Sequence, residues 1–447
     1  MKGSQGKKIA RWYVLYAVFL FTGQGVVALL GAADLIIPDL PSPIPYEYGR
    51  SIHLGLATFW PLIGTMGIVY YFTVQQLKAE IYSLKIAKWQ FAIVFLSTGG
   101  LYGTLALRIG NGREYLDGLP FFYAGISFSI ALGAYNLVRT LWKEKKKLTP
   151  ASVIMTAGLI FLCILLVPNA LNFVNPVADE AVKFWVVHLW EEMAFELTTS
   201  GFIASFFVAS GLAEKKDMER WLFLEASLAV SGGLFGTGHH YYWIGFPTAW
   251  LIIGALFSFI QMLPIALLAH LTYKGFKKRR PMDRREKLTV WLILSSLFHH
   301  LTGASLLGLL ITVPWINLYM HGTYMTSGHA HLALFGALGF LILAGAYYIL
   351  SERNEPNKKA YVFGVIGVLL LNTGLLAMST SLLIAGFLQT YLWRVLGMDF
   401  RQVSSVINPY LIMRVLGGLL FTLGDLVLSW RIFKTWWETR SMKAASE

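Results

Sequence analysis

Long apolar stretches separated by short polar connections recur along the whole chain. A helix needs about 20 mostly apolar residues to cross the hydrocarbon core of a bilayer, and several stretches exceed that length. No repeat of fixed period and no extended polar region interrupts them. We therefore expect an all-α integral membrane protein in which residues 1–447 form a single domain. The twelve predicted transmembrane helices lie near residues 10–33, 52–75, 88–109, 119–142, 150–171, 183–212, 219–243, 248–273, 288–312, 323–350, 361–387 and 410–433.

Basic residues are distributed unevenly over the connections. When both termini are placed on the cytoplasmic side, 30 of the 37 Lys and Arg residues fall in cytoplasmic segments. Because this asymmetry follows the positive-inside rule, we expect cytoplasmic termini and a chain in the inner (cytoplasmic) membrane of the cell. The basic cluster from Lys274 to Lys287 is interpreted as a topology anchor, with a site for lipid headgroups as the alternative. The seven remaining basic residues are Arg50, Arg108, Arg113, Lys183, Arg394, Arg401 and Arg414.

Composition narrows the class of protein further. Hydrophobic residues make up 56% of the chain and charged residues only 14%, against about 25% charged residues in soluble domains. A soluble globular protein and a disordered chain are therefore excluded, and the topology explains the net charge of +13 without a nucleic-acid partner. The single cysteine, Cys163, excludes an intrachain disulfide, a haem-c attachment motif and a two-cysteine copper centre. Electrons for any redox reaction must come from elsewhere.

All ten histidines lie in or beside predicted helices. Polar groups inside a membrane are costly and usually functional, and neutral imidazole is the commonest metal ligand. Seven histidines lie in the outer half of the membrane in the topology above, so we expect metal or haem ligation there. Hydrogen bonds between helices are the alternative. The seven are His53, His188, His239, His240, His321, His329 and His331.

His329 and His331 are separated by one residue in the tenth predicted helix. On an α-helix such residues point about 200° apart, so they cannot bind one ion but can hold two cofactors on opposite sides. His53 in the second predicted helix is available as the opposite axial ligand for one of them. A haem held by two histidines transfers electrons, whereas a haem with one histidine keeps an open face. Two unrelated structural histidines are the alternative.

A second cluster combines histidines with carboxylates. His188, Glu192 and Glu196 are spaced four residues apart and share one face of the sixth predicted helix. The pair His239-His240 follows in the seventh, where neighbouring glycines let the backbone adapt. Three histidines and one carboxylate favour non-haem iron over copper(I). A His/Glu packing network is the alternative.

These motifs together resemble those of the haem–copper oxidase superfamily. They are His53 in the second helix, HLWEEMAFE in the sixth, GTGHHYYWIG in the seventh and HGTYMTSGHAH entering the tenth. More narrowly, the whole chain resembles the catalytic large subunits of cytochrome-c-type nitric oxide reductases. The resemblance implies a haem–copper oxidase-like bundle and the reaction 2 NO + 2 H⁺ + 2 e⁻ → N₂O + H₂O.

The resemblance also implies a role for individual residues. His53 and His331 would be the axial ligands of a low-spin haem b, and His329 the proximal ligand of a high-spin haem b3. His321 would lie near the haem propionates. The ligands of the non-haem iron FeB would be His188, His239, His240 and Glu192. Glu196 would be a second acid near the proton route, and Glu114 would be a calcium ligand.

An electron donor is implied as well. By resemblance, a small separate subunit with haem c or a copper centre would dock at the outer face, and direct oxidation of quinol is the alternative. The outer loop predicted over 387–410, with Trp393 and Arg394, is one candidate contact surface. Proton uptake from the outside is also implied by the family.

One position separates this chain from the oxygen reductases of the superfamily. In those enzymes a tyrosine follows four residues after the first metal-site histidine and supplies an electron and a proton. Here that position is Glu192. A carboxylate cannot supply that electron, but it adds a hard anionic ligand that favours iron.

Other positions depart from the family pattern. Gln261 stands where a glutamate is usual, and Glu191 where a small or aliphatic residue is usual. His299 and His300 are additional. They are interpreted as forming helix–helix hydrogen bonds, with an extra proton or haem-edge contact as the alternative. Gln261 keeps open an alternative with the same fold and different chemistry, an NO-dismutating enzyme or an oxygen reductase. A transporter or an inactive haem-bearing subunit is the alternative from another class.

Overall fold

The computed structural model describes residues 4–37, 42–112, 116–169, 171, 173–242, 244–277, 281–352 and 355–444. Within that part of the chain every regular element is helical. Nine of the described helical stretches are long and apolar enough to cross a membrane, which agrees with the predicted class of a multi-pass, all-α protein. The nine are Gln5–Ile36, Tyr46–Leu77, Pro120–Lys143, Pro150–Pro168, Thr248–Gly275, Arg284–Thr312, Tyr324–Leu350, Lys358–Val395 and Phe400–Thr439.

Several α-helices begin at a polar side chain that accepts from the first free backbone amides, or with a proline, which has no N–H to satisfy. Asn175 accepts from the amides of Val177 and Ala178, and Asp283 accepts from Glu286. The helices are α1 (Gln5–Ile36), α2 (Tyr46–Leu77), α3 (Leu84–Ala106), α4 (Pro120–Lys143), α5 (Pro150–Asn169), α6 (Pro176–Leu189), α7 (Glu196–Ala209), α8 (Lys215–Gly236), α9 (Thr248–Ile260), α10 (Met262–Lys277), α11 (Arg284–His299), α12 (Gly308–Thr312), α13 (Pro314–Met320), α14 (Tyr324–Ala330), α15 (Phe340–Leu350), α16 (Lys358–Gln389) and α17 (Phe400–Ala444).

Three predicted transmembrane segments are helical but fall outside the nine apolar spans. They correspond to α3, to α6 with α7, and to α8. The low hydropathy of the last two has a clear cause. The α6–α7 stretch carries His188 and the acids Glu191, Glu192 and Glu196, while α8 begins with a run of charged residues and contains Glu225.

π-helical turns interrupt several helices. They cover Trp190–Phe195 between α6 and α7, His300–Leu307 between α11 and α12, His331–Gly339 between α14 and α15, and Thr390–Val395 after α16. The first contains Glu192, the second begins with His300 and the third begins with His331. Because π-turns are rare and occur frequently at functional sites, they mark the same region as the motifs do.

The two most enclosed spans lie at the centre of the bundle. In α2 and in the α14–α15 stretch, 72% and 78% of the apolar window is buried. They carry His53 and the pair His329/His331, respectively. The predicted haem ligands therefore lie on helices surrounded by other helices.

Lys- and Arg-rich connections meet at one end of the bundle, which we call the basic face. It comprises residues 4–11, 78–83, 144–149, 210–215, 281–287 and 355–358. Lys7 and Arg11 bind the Glu352 carboxylate at 2.6 and 2.8 Å, and Arg285 donates to the Tyr348 carbonyl at 2.7 Å. Burial alone would raise the pKa of Glu352, but Lys7, a hydrogen bond from Tyr71 and the charge of Arg11 together outweigh burial and hold that pKa below its ordinary value.

Two predicted boundaries are wrong. The expected outer loop over 387–410 is mostly helical, because helical structure continues to Val395 and α17 already begins at Phe400. Gly397, with φ +65°, supplies the reversal between them. The helix predicted over 219–243 ends at Gly236, and a 3₁₀ turn over Thr237–His240 follows it.

Candidate functional site

Four predicted metal ligands converge beside this 3₁₀ turn. The candidate ligand atoms of His188, Glu192, His239 and His240 all lie within 4.8 Å of one another. His188 Nδ1 is 3.3 Å from Glu192 Oε1 and 3.3 Å from His240 Nε2, and His239 Nε2 is 4.0 Å from Glu192 Oε1. Nitrogen and oxygen ligands lie about 2 Å from a bound transition metal, so two donors on one ion are at most about 4 Å apart. The two 3.3 Å pairs satisfy this limit and the 4.0 Å pair lies at it, so the widest separations in the group need only a small side-chain adjustment to share one ion.

The backbone explains how consecutive histidines reach one point. On a regular α-helix His239 and His240 would diverge by about 100°, but the 3₁₀ turn brings their ring centroids to 4.2 Å. Glycines let α9 press against this turn. A side chain at Gly238 would overlap the Trp250 carbonyl, and one at Gly254 would overlap the His239 amide.

Hydrogen bonds outside the cluster fix the orientation of its rings. The Nε2 atom of His188 is 3.3 Å from the Gly232 carbonyl, and the Nδ1 atom of His239 is 2.9 Å from Ser258 Oγ. Ser258 Oγ itself donates to the Gly254 carbonyl, so it accepts the proton of His239. In both rings the nitrogen turned toward the cluster is thus left with its lone pair, as a metal ligand requires.

His329 and His331 point to different sides of their helix. His329 donates from Nδ1 to the Gly303 carbonyl at 2.9 Å and faces the cavity that contains Glu192. His331 donates from Nδ1 to the Ser327 carbonyl at 2.7 Å. Each ring therefore keeps Nε2 available as a ligand, one on each side of the helix, which is the arrangement that two cofactors need.

His331 faces His53 across a short gap. Their ring centroids are 6.0 Å apart and the ring planes are inclined by 26°. Two imidazoles that each bind one iron at about 2 Å from opposite sides have centroids roughly 6 Å apart. His53 Nδ1 is buried and has no hydrogen-bond partner among the described residues. The pair fits an iron held between two axial histidines.

Cations lie near these rings. Arg414 is close enough to interact electrostatically with His53 and His331. Arg394 donates to the carbonyls of Leu318 and Tyr319 at 3.2 and 3.0 Å. Guanidinium groups bind carboxylates strongly, so both arginines suit the propionates of a haem. From the sequence, Arg414 was only one of the outer basic residues, and Arg394 was also part of a candidate contact surface.

His321 is half-buried at the end of α13 and lines the same cavity as His329. It also lies close enough to Arg394 for an electrostatic interaction. The arrangement is compatible with the predicted propionate region. Glu114, the predicted calcium ligand, lies outside the described residues.

A cavity of about 410 Å³ joins the metal cluster to further polar residues. Glu196 Oε1 is 3.7 Å from His300 Nε2, and Gln261 Nε2 donates to the Glu192 carbonyl at 3.3 Å. Glu191 lines the cavity but is not one of the four clustered ligands. The cavity therefore holds all the polar departures from the family pattern except His299, which hydrogen-bonds Asn372 at 2.9 Å.

Sequence reasoning missed two residues at this site. Ser258 orients His239, and Glu225 lines the cavity. Glu225 lies on α8, the helix that leads into the 3₁₀ turn with His239 and His240. A carboxylate within the predicted membrane helix that carries the histidine pair was the signal available in the sequence.

Comparisons with known proteins agree with this geometry. The family model of "Cytochrome C and Quinol oxidase polypeptide I" matches residues 8–420. The chain therefore belongs to this family of haem–copper oxidase catalytic subunits, which are membrane-bound oxidoreductases of electron transport.

Individual relatives refine the comparison. The chain is 29% identical to a nitric oxide reductase subunit of Stutzerimonas stutzeri over 94% of this chain and 93% of the relative. It is 23% identical to the cbb3-type cytochrome c oxidase subunit CcoN1 of the same organism over 96% and 94%. A cryo-EM structure of a haem–copper terminal oxidase dimer superposes with a TM-score of 0.77 at 14% identity, covering 96% of this chain and 84% of that chain.

Proposed function

We propose that this chain is the catalytic subunit of a nitric oxide reductase, which converts 2 NO, 2 H⁺ and 2 e⁻ to N₂O and H₂O. The observation that carries the proposal is the Glu192 carboxylate beside three histidine rings. A carboxylate ligand makes the site harder, so the site prefers iron to copper(I). The similarity over almost the whole length to a nitric oxide reductase subunit supports the same interpretation.

The residues fit three groups that the family implies. His53 and His331 would hold a low-spin haem b, and His329 a high-spin haem b3. The non-haem iron would be bound by His188, Glu192, His239 and His240. When bound, the haem b3 and the non-haem iron would supply metal sites for the reduction of NO, and the low-spin haem b would relay electrons from the donor. Glu114 remains the predicted ligand of a calcium ion.

The chain's own residues bring the reactants together. Much of the cavity wall is apolar, including Leu297, Leu334 and Leu338, and uncharged NO partitions into such a space. Confinement there turns an encounter of two dilute gases into a local step. Glu196, in reach of His300, can accept and release a proton beside the metal ligands.

We propose the following placement in the cell. The chain forms a single domain of twelve transmembrane helices, with both termini cytoplasmic and the basic face toward the cytoplasm, in the inner membrane. A small subunit with haem c or a copper centre delivers electrons at the opposite face. The nitric oxide reductase and cbb3-type oxidase relatives are themselves subunits, which supports a separate partner subunit.

Anaerobic turnover tests the proposal. The purified protein, reduced with a chemical donor and supplied with NO, is expected to form one N₂O for every two NO, measured by gas chromatography. Formation of N₂ and O₂ from NO instead would indicate the dismutating alternative that Gln261 suggests. Rapid O₂ reduction without N₂O formation would indicate an oxygen reductase.

A further inference from the structure

The cavity extends well beyond the metal cluster toward the basic face. We call this part the basic-side arm, and its lining includes Thr199, Phe207, Trp221, Glu225, Thr272 and His300. Trp221 lies fifteen residues before Gly236, the last residue of α8, or about 22 Å along the helix at 1.5 Å per residue, and His239 follows in the 3₁₀ turn. The arm therefore runs through most of the hydrocarbon thickness, on the side away from the predicted electron entry.

Glu225 is the acid in the middle of this arm. It is 5% exposed, and no group in the described part of the chain donates a hydrogen bond to its carboxylate. An unpartnered buried charge is very costly, so the side chain is stable only as the protonated acid or with water in the cavity. Either state suits a group that takes up and releases a proton.

His300 connects Glu225 to the metal cluster. Its Nε2 atom is 3.7 Å from Glu196 Oε1, and its Nδ1 atom is 3.1 Å from Ser305 Oγ. His300 and Glu225 are close enough to interact electrostatically, and so are Glu225 and Glu196. The three titratable groups form a series that begins in the arm and ends one helical turn from Glu192.

The far end of the arm approaches the basic face. Thr272 lies two residues before Lys274, and its hydroxyl donates to the Leu268 carbonyl while it lines the arm. Trp221 closes the arm from α8 and donates to the Pro264 carbonyl at 2.9 Å. Only the first turn of α8 and the last turn of α10 separate the arm from the charged residues at that end of the bundle.

We propose that Glu225 and His300 carry protons to the site from the basic face, and not from the opposite face as the family resemblance implies. Each proton leaves the Glu225 carboxyl, passes through the His300 imidazole to the Glu196 carboxylate and is consumed as N₂O and water form. Glu225 is then reprotonated from the basic face. No electron moves through these groups. The inference rests on the proposed function, since that reaction consumes the two protons.

The side of proton uptake tests the proposal directly. Fully reduced full-length protein, with its partner, is placed in vesicles with the basic face inward and a pH indicator trapped inside. On mixing with NO, we expect the interior to become alkaline by two protons per N₂O. Glu225→Gln is expected to slow this uptake at least about tenfold, while Glu225→Asp restores part of the rate.

A matched control lies on the same helix. Glu219 is outside the cavity lining and pairs with Lys215 at 3.6 Å, so Glu219→Gln is expected to take up protons at the wild-type rate. Two results would overturn the proposal: alkalinisation of the outer medium, or proton uptake at the wild-type rate in Glu225→Gln with an unchanged haem spectrum. In either case, formation of N₂O would still support the proposed reductase activity. Absence of N₂O in the wild type would overturn the proposed function itself.

Discussion

At the scale of single residues, the chemistry depends on which atoms each side chain presents to the cavity. His188 and Glu192 meet at 3.3 Å, as their spacing in the sequence predicted. The tautomers of His329 and His331 depend on carbonyls of Gly303 and Ser327. The sequence could not predict these hydrogen bonds. Every residue has a backbone carbonyl, so residue identity does not show which carbonyl will face a histidine.

Replacing Glu192 tests its role as a ligand. In Glu192→Ala, loss of the carboxylate is expected to weaken binding of the non-haem iron at least about tenfold, and both haems stay bound. Metal analysis with optical spectroscopy measures the two effects separately. Glu191→Gln is the matched control, since Glu191 lies outside the group of four and should leave the iron content unchanged. Full iron content in Glu192→Ala would remove Glu192 from the site.

At the scale of elements, the sequence predicted most helices. Apart from the glycines beside His239 and His240, it did not indicate the local deviations that build the site. Apolar length alone is enough to predict a membrane helix. The π-turn over Trp190–Phe195 and the 3₁₀ turn over Thr237–His240 leave no such signal, because they break a regular period within one continuous run. The prediction of a loop over 387–410 is wrong for a related reason, because the polar residues of this segment lie mostly in helical turns.

Close packing of α9 against the histidine turn can be tested at Gly238. In Gly238→Ala the new methyl group would overlap the Trp250 carbonyl, and we expect a loss of about 1–3 kcal/mol of stability from overpacking. Iron bound through His239 and His240 should be lost first, with haem between His53 and His331 retained. Thermal unfolding and iron content are the measurements.

Gly103→Ala provides the comparison for this substitution. Gly103 lies in α3, and a Cβ there would meet no atom within 4 Å. Alanine is favoured over glycine inside a helix by about 0.5–1 kcal/mol, so stability should hold or rise slightly. If Gly103→Ala and Gly238→Ala lost equal amounts of iron, the contact between Gly238 and the Trp250 carbonyl would not be what positions His239 and His240.

At the scale of the whole molecule, one buried cavity extends from the metal cluster through much of the bundle toward the basic face. His53 and the pair His329/His331 lie on the most enclosed spans, and the cavity continues from their neighbourhood past Glu196 to Glu225. The sequence predicted the ligand motifs of this region and its membrane setting. It could not predict the cavity, because empty space depends on how side chains from distant helices pack together.

The central claim is that histidines from separate helices, with one carboxylate, hold two haems and one further iron. A haem and metal inventory of the purified protein tests it most directly. Optical spectroscopy is expected to find two b-type haems per chain, one low-spin and one high-spin, and metal analysis three irons per chain without copper. A colourless protein, or two irons with one copper per chain, would contradict the account.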